Sequence, residues 1–179
     1  MASMGLIRRL WLARLSKPAA ERVVHRHVLR RSPTRILELG LGRLVRTERM
    51  LLAASATGNV QYVGLDRFEG RLATDPPGVS LKDAHRRLNR LGRVQLVPGN
   101  IDTSLARLCN HLGTFDLVVI SADNDERHLE RCWFFLQRVT TAATTVFLEH
   151  CDGTAARWAT LPKARIDELA AKTVLRRAG

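Results

Sequence analysis

Five short apolar runs recur along the chain: RILEL (35–39), VQYVGLD (60–66), VQLVPG (94–99), FDLVVIS (115–121) and TTVFLEH (144–150). Each is short for a helix and too apolar to keep one face in water, the pattern of strands buried on both faces. Segments with helical spacing separate them. One covers about 43–56 and carries Leu44, Met50, Leu51 and Leu52 before Gly58 and Asn59 end it. Ser80 and Asp83 form a capping-box-like start for a helix reaching about residue 91. Further helices are expected over about 102–112, over DERHLERCWFFLQRV, and from the fifth run to the end. Alternation of this kind specifies an α/β domain with a doubly wound, mainly parallel Rossmann-like sheet of five to six strands. Helices should cover both faces. KTVLRR (172–177) reads either as one edge strand or as the end of a helix.

Residues 1–34 read as a basic helical extension and 35–179 as the α/β domain, the whole forming one globular unit. In GLIRRLWLARL (5–15), Leu6, Ile7, Leu10, Trp11 and Leu15 fall at helical spacing among arginines. PAAERVVHRHVLRR then starts on Pro18 and is closed by Pro33. Over residues 1–35 nine Arg and Lys face one acid, Glu21, and the 179-residue chain carries a formal net charge of +12. Such an excess suits nucleic acid or an anionic membrane as partner; an Arg-rich composition without any polyanion partner explains it as well. Arginines interrupt the N-terminal apolar stretch, so it does not read as a secretory signal. The three cysteines, Cys109, Cys132 and Cys151, lack metal-type spacing and are odd in number. A cytoplasmic location is the expectation.

In a doubly wound sheet the ligand binds beyond the carboxyl ends of the strands. There stand Glu38, Gly40, Gly42 and Arg43 after the first run, then Asp66 and Arg67, Gly99 and Asn100, Ser121 to Asn124, and Glu149, His150 and Asp152. Glycines after a first strand let a ligand approach the backbone, and the next helix offers free N–H groups. Asp66, 24 residues beyond Gly42, is placed to accept bonds from ribose hydroxyls. A dinucleotide loop would carry a third glycine where Val45 stands.

Together ILELGLG, YVGLD, VQLVPGN and FDLVVISAD resemble, in order, the first four motifs of the class I S-adenosylmethionine-dependent methyltransferases. Small-molecule O-methyltransferases are the nearest pattern, and the resemblance spans about 35–150. It implies S-adenosylmethionine as cofactor, held by Glu38, Gly40, Gly42, Asp66, Arg67, Asn100 and Ser121, with Glu38 linked to the methionine ammonium. A small-molecule acceptor is the expected partner. Leu44 departs from the family's last loop glycine. Ser121 stands where metal-dependent members carry their first metal-binding Asp, so no metal site is expected. Asp123 and His150 are the candidate bases for an acceptor hydroxyl. Segment 67–79, with Pro76-Pro77-Gly78, is a candidate mobile lid, and Trp158 a candidate wall of the acceptor pocket. Two alternatives stand beside this reading: a non-catalytic basic module of the same fold binding nucleic acid or anionic membrane, and a nicotinamide-dependent enzyme, which Glu38 and Val45 disfavour.

Overall fold

The computed structural model describes residues 5–56, 58–153 and 155–178, with side chains as far as residue 174. Six strands form one sheet in the order β3-β2-β1-β4-β5-β6. They are β1 (Arg35–Leu39), β2 (Gln61–Asp66), β3 (Arg93–Pro98), β4 (Leu117–Ile120), β5 (Thr145–Asp152) and β6 (Ala155–Leu161). The first five run parallel and β6 returns antiparallel against β5. The helices are α1 (Leu6–Arg14), α2 (Arg22–Arg31), α3 (Val45–Ser55), α4 (Leu81–Leu88), α5 (Ile101–Leu112), α6 (Glu126–Val139) and α7 (Lys163–Ala178).

Alternate residues of the central strands feed two cores, because successive strand side chains point to opposite faces. Ile36, Leu117 and Phe147 pack on one face with Val24 and Val28 of α2, Met50 and Leu51 of α3, and Ala84 and Leu88 of α4. Leu37, Leu39, Val118 and Ile120 pack on the other with Leu105 of α5, Trp133 and Leu136 of α6, and Ile166 of α7. From Ile36 to Leu39 strand β1 is buried on both sides, which is why that stretch is apolar except for Glu38.

One expectation changes and one open alternative is decided. The helix expected from residue 151 onward is first a strand: β5 runs on to Asp152, and β6 pairs with it from Asp152↔Ala155 to Val146↔Leu161. The alanine-rich β6 has weak strand propensity of its own, and the free edge of β5 supplies what propensity does not. KTVLRR falls within α7. Helix α2 buries its apolar stripe in the first core, whereas α1 buries only Leu12.

The chain reverses direction in the sheet between β1 and β4, where the crossovers part to opposite sides. That is the switch point at which doubly wound sheets open a crevice.

Candidate cofactor cleft

Past β1 the backbone turns through Gly40 (φ 82°), Gly42 (φ 56°) and Leu44 (φ 67°), all left-handed. Leu44 adopts the conformation expected of the missing glycine, and its side chain is fully buried in the first core. Left-handed backbone costs a non-glycine residue about 1–2 kcal/mol. Full burial of a leucine returns about 1.5–3 kcal/mol, so the loop keeps its shape.

Asp66, at the end of β2 and 3% exposed, lies against this loop. Its Oδ2 accepts from the Leu41 N–H at 2.7 Å and the Gly42 N–H at 3.3 Å, and its Oδ1 from the Phe68 N–H at 2.8 Å. Arg71 completes the set, donating from Nη2 to Oδ2 at 2.6 Å and from Nε to Oδ1 at 3.2 Å. Arg71 also donates to the Pro76 carbonyl at 2.8 Å, and Arg67 pairs with Asp75 at 2.9 Å. The segment 67–79 is therefore folded on itself and clamped to the carboxylate expected to hold a ribose. Gly78 permits this, since a Cβ there would strike the Arg71 guanidinium.

Beneath the loop lies a buried polar cluster. Glu38 is 0% exposed; its Oε1 accepts from Arg46 Nε at 2.9 Å and its Oε2 from the Tyr62 hydroxyl at 2.8 Å. Tyr62 reaches Glu38 by crossing Gly64, where any side chain would meet its ring. Arg46 also donates to the Gly40 carbonyl at 2.8 Å, lies 3.6 Å from Glu149 and stacks on Trp158 with 5.0 Å to the ring centroid. Burial opposes its charge, but Glu38 and Glu149 outweigh that and hold the guanidinium protonated. Burial, reinforced by Glu38, pushes the Tyr62 hydroxyl far up, so it stays a donor. Glu38, expected to meet a ligand ammonium, has both carboxylate oxygens bonded to the chain's own Arg46 and Tyr62. Trp158, expected beside an acceptor, packs on that guanidinium and the first core.

The far wall follows β4. Ser121 donates to Glu149 at 3.0 Å, and Asn124 donates to the Leu39 and Ser121 carbonyls, both at 2.8 Å. Asp123 and Asn124 lie on the glycines: a Cβ at Gly40 would come within 2.9 Å of Asn124, and one at Gly42 within 3.2 Å of Asp123. Burial raises the Asp123 carboxyl above its ordinary range, and Glu149 adds to the rise. Asn100 and Ile101 close the β3 side with His128, whose Nδ1 is 3.0 Å from Asp102. His150 is exposed and does not line the cleft; it lies on the opposite side of the sheet from Glu149, so its expected role as a base has no geometric support here. Among the described residues no group of three or more His, Cys, Asp or Glu could hold a metal ion.

The cleft between Gly40, Asp66, Arg71, Asn100 and Asp123 encloses about 20 Å³. That is room for about one water, whereas a nucleoside-sized ligand needs several hundred Å³, roughly 300 at least. Three residues that shape it, Arg46, Arg71 and His128, were absent from the sequence-based set. An arginine in the first turn of the helix after a glycine loop, where the dipole disfavours a cation, was the available signal for Arg46.

No protein-family model matches the chain, and no curated protein matches it in sequence. Solved structures do match. One is the O-methyltransferase TomG from Streptomyces achromogenes, involved in tomaymycin synthesis and determined with SAM, at 15% identity and TM-score 0.57 over 100% of this chain and 81% of that one. Another is the O-methyltransferase from Bacillus cereus in complex with SAH, at 17% identity and TM-score 0.56 over 92% and 71%. At these identities the likeness establishes architecture: the chain is built on the Rossmann-like fold of the class I methyltransferases.

Proposed function

We propose that the chain binds S-adenosylmethionine at the carboxyl ends of β1, β2, β3 and β4 and transfers its methyl group to a small-molecule acceptor. The observation that carries this reading is Asp66, a carboxylate set against the Leu41 and Gly42 N–H groups at the switch point. A carboxylate there suits paired ribose hydroxyls, and the left-handed glycines put no side chain of their own between a ligand and the backbone once Asp123 and Asn124 withdraw. Arg67 and Asn100 stand at the rim of the cleft. Glu38 acts through Arg46, which fixes the Gly40 carbonyl and so the loop. The sulfonium supplies an activated methyl group, and the chain's part is to align an acceptor with it and take up its proton. Asp123 is the proposed base, because burial and Glu149 keep its proton affinity above that of an ordinary carboxylate. The reading is metal-independent, since the Ser121 hydroxyl serves Glu149.

Donor chemistry fits the cofactor; volume does not until Arg71 leaves Asp66 and the 123–124 turn leaves the glycines. That closure favours a second reading, a non-catalytic module in which arginines fill the former ligand positions. Calorimetric titration with S-adenosylhomocysteine, S-adenosylmethionine and NAD decides between them. Sulfur-ligand binding that is lost in Asp66→Ala supports the methyltransferase reading. If neither sulfur ligand binds at millimolar concentration, in the wild type or in Arg71→Ala, the second reading stands.

A further inference from the structure

Helix α1 turns its apolar residues outward. Leu6 is 73% exposed, Ile7 86%, Leu10 48%, Trp11 41% and Leu15 66%, while Leu12 faces the core. At about 3.6 residues per turn, Ile7 and Leu10 stand on the side away from Leu12, with Arg8 and Arg9 flanking Leu12. Exposed Val45 extends the patch across a groove shared with Arg8, Trp11 and Arg49. An exposed group of large apolar side chains on one helix marks a contact surface.

Charge identifies what covers it. Arg8, Arg9 and Arg14 lie on α1 itself, Arg49 and Arg90 line the groove beside Trp11, and α1 contains no acid. The acids beside it are already paired: Glu21 lies 3.8 Å from Arg49, and Glu48 lies 2.8 Å from Arg87. A second copy would bring this cationic surface against its own like. A phosphodiester strand would satisfy the arginines yet leave Ile7 and Leu10 in water. An anionic bilayer satisfies both, taking the apolar residues into the boundary between headgroups and acyl chains and the arginines at the phosphates. No described helix is long and apolar enough to cross a membrane, so α1 would lie in the surface plane.

We propose that α1 docks the protein on anionic phospholipid bilayers through Leu6, Ile7, Leu10 and Trp11, with the surrounding arginines at the headgroups. The cleft opens at the carboxyl ends of the strands and plays no part in this docking, so the test is independent of cofactor binding.

The experiment is co-sedimentation of the full chain with phosphatidylcholine vesicles, with and without about one-third phosphatidylserine, at physiological salt. Binding is expected only when phosphatidylserine is present. Ile7→Asp/Leu10→Asp, whose side chains are exposed and should leave the melting temperature unchanged, is expected to weaken it at least about tenfold through lost burial and added charge. Arg8→Gln/Arg9→Gln is expected to weaken it about 20- to 30-fold, near fivefold per charge. The proposal is overturned if the wild type ignores phosphatidylserine vesicles, or if Ile7→Asp/Leu10→Asp binds them as well as wild type. The same follows if sedimentation equilibrium shows a dimer that this variant dissolves. Binding to polyuridine that exceeds vesicle binding and survives the aspartates would assign the surface to nucleic acid.

Discussion

Replacing Arg71 by alanine should tighten nucleoside binding rather than weaken it. In the closed cleft Arg71 places two charged hydrogen bonds, at 2.6 and 3.2 Å, on the carboxylate proposed to hold a ribose. Both partners are largely buried, with side chains 12% and 3% exposed, so solvent screens the pair only in part. Charged hydrogen bonds contribute about 1.5–3 kcal/mol each, but Arg71 regains hydration when it swings out, leaving a net closing term of about 1.5–3 kcal/mol for the pair. A protein competent to bind only when open has its affinity reduced by the open fraction. The same term then corresponds to an apparent loss of about 10- to 150-fold. Arg71→Ala removes that term while Asp66 keeps three backbone N–H partners, so the fold should persist. Titration calorimetry with S-adenosylhomocysteine should show a dissociation constant lower by at least about tenfold than wild type, with Arg71→Lys in between. Equal or weaker binding in Arg71→Ala would refute the competition and make Arg71 a ligand contact.

Three other outcomes are expected. Arg46→Met should destabilise the protein by about 3–5 kcal/mol in urea unfolding, because Glu38 and Glu149 lose their cation. Adding Glu38→Gln should recover part of this, and no recovery would mean that packing against Trp158, not charge, was lost. Leu44→Gly should also destabilise: the lost leucine costs about 2–5 kcal/mol and relief of left-handed strain returns about 1–2. A stabilised Leu44→Gly would show that the loop is the more strained part. Finally, burial followed by Arg49 and Arg46 lowers His25 from 6.5 to about 4. Below 6.5 the unfolded chain takes up a proton that the folded chain refuses, so His25 contributes stability above that pH and loses it as pH falls toward 4. The span is worth at most about 3 kcal/mol, and His25→Gln should flatten unfolding free energy between pH 7 and 5; an unchanged slope would clear His25.

Strand ends were legible because chemistry there follows from position. Gly40, Gly42, Asp66, Asn100 and Asp123 all reach the cleft that the alternation of strands and helices foretells. Spacing points to Asp66 as a cleft carboxylate, and the structure pairs it with Arg71. Arg71 could not be assigned from its neighbours, since its partner is set by how 67–79 folds back. Arg46 was hidden similarly: Glu38, Glu149 and Trp158 come from three strands that meet only in the sheet. His150 misled because a strand end identifies depth in the sheet but not which side faces a cleft when the strand continues to Asp152. The β6 strand was missed because alanines favour helix locally, and only pairing with β5 overrides that.

The sequence by itself determined the alternation of buried strands and helices, the glycine loop after the first strand, the acid after the second, and the cationic N-terminus. These are local quantities, written in periodicity and charge. Tertiary structure alone decided that Leu44 takes a glycine's conformation with its side chain in the core, that Arg71 closes the cleft and that α1 faces outward. Each of those depends on which distant surface has room or charge to spare, and such partners are chosen when the sheet and its two helical layers pack, not residue by residue along the chain.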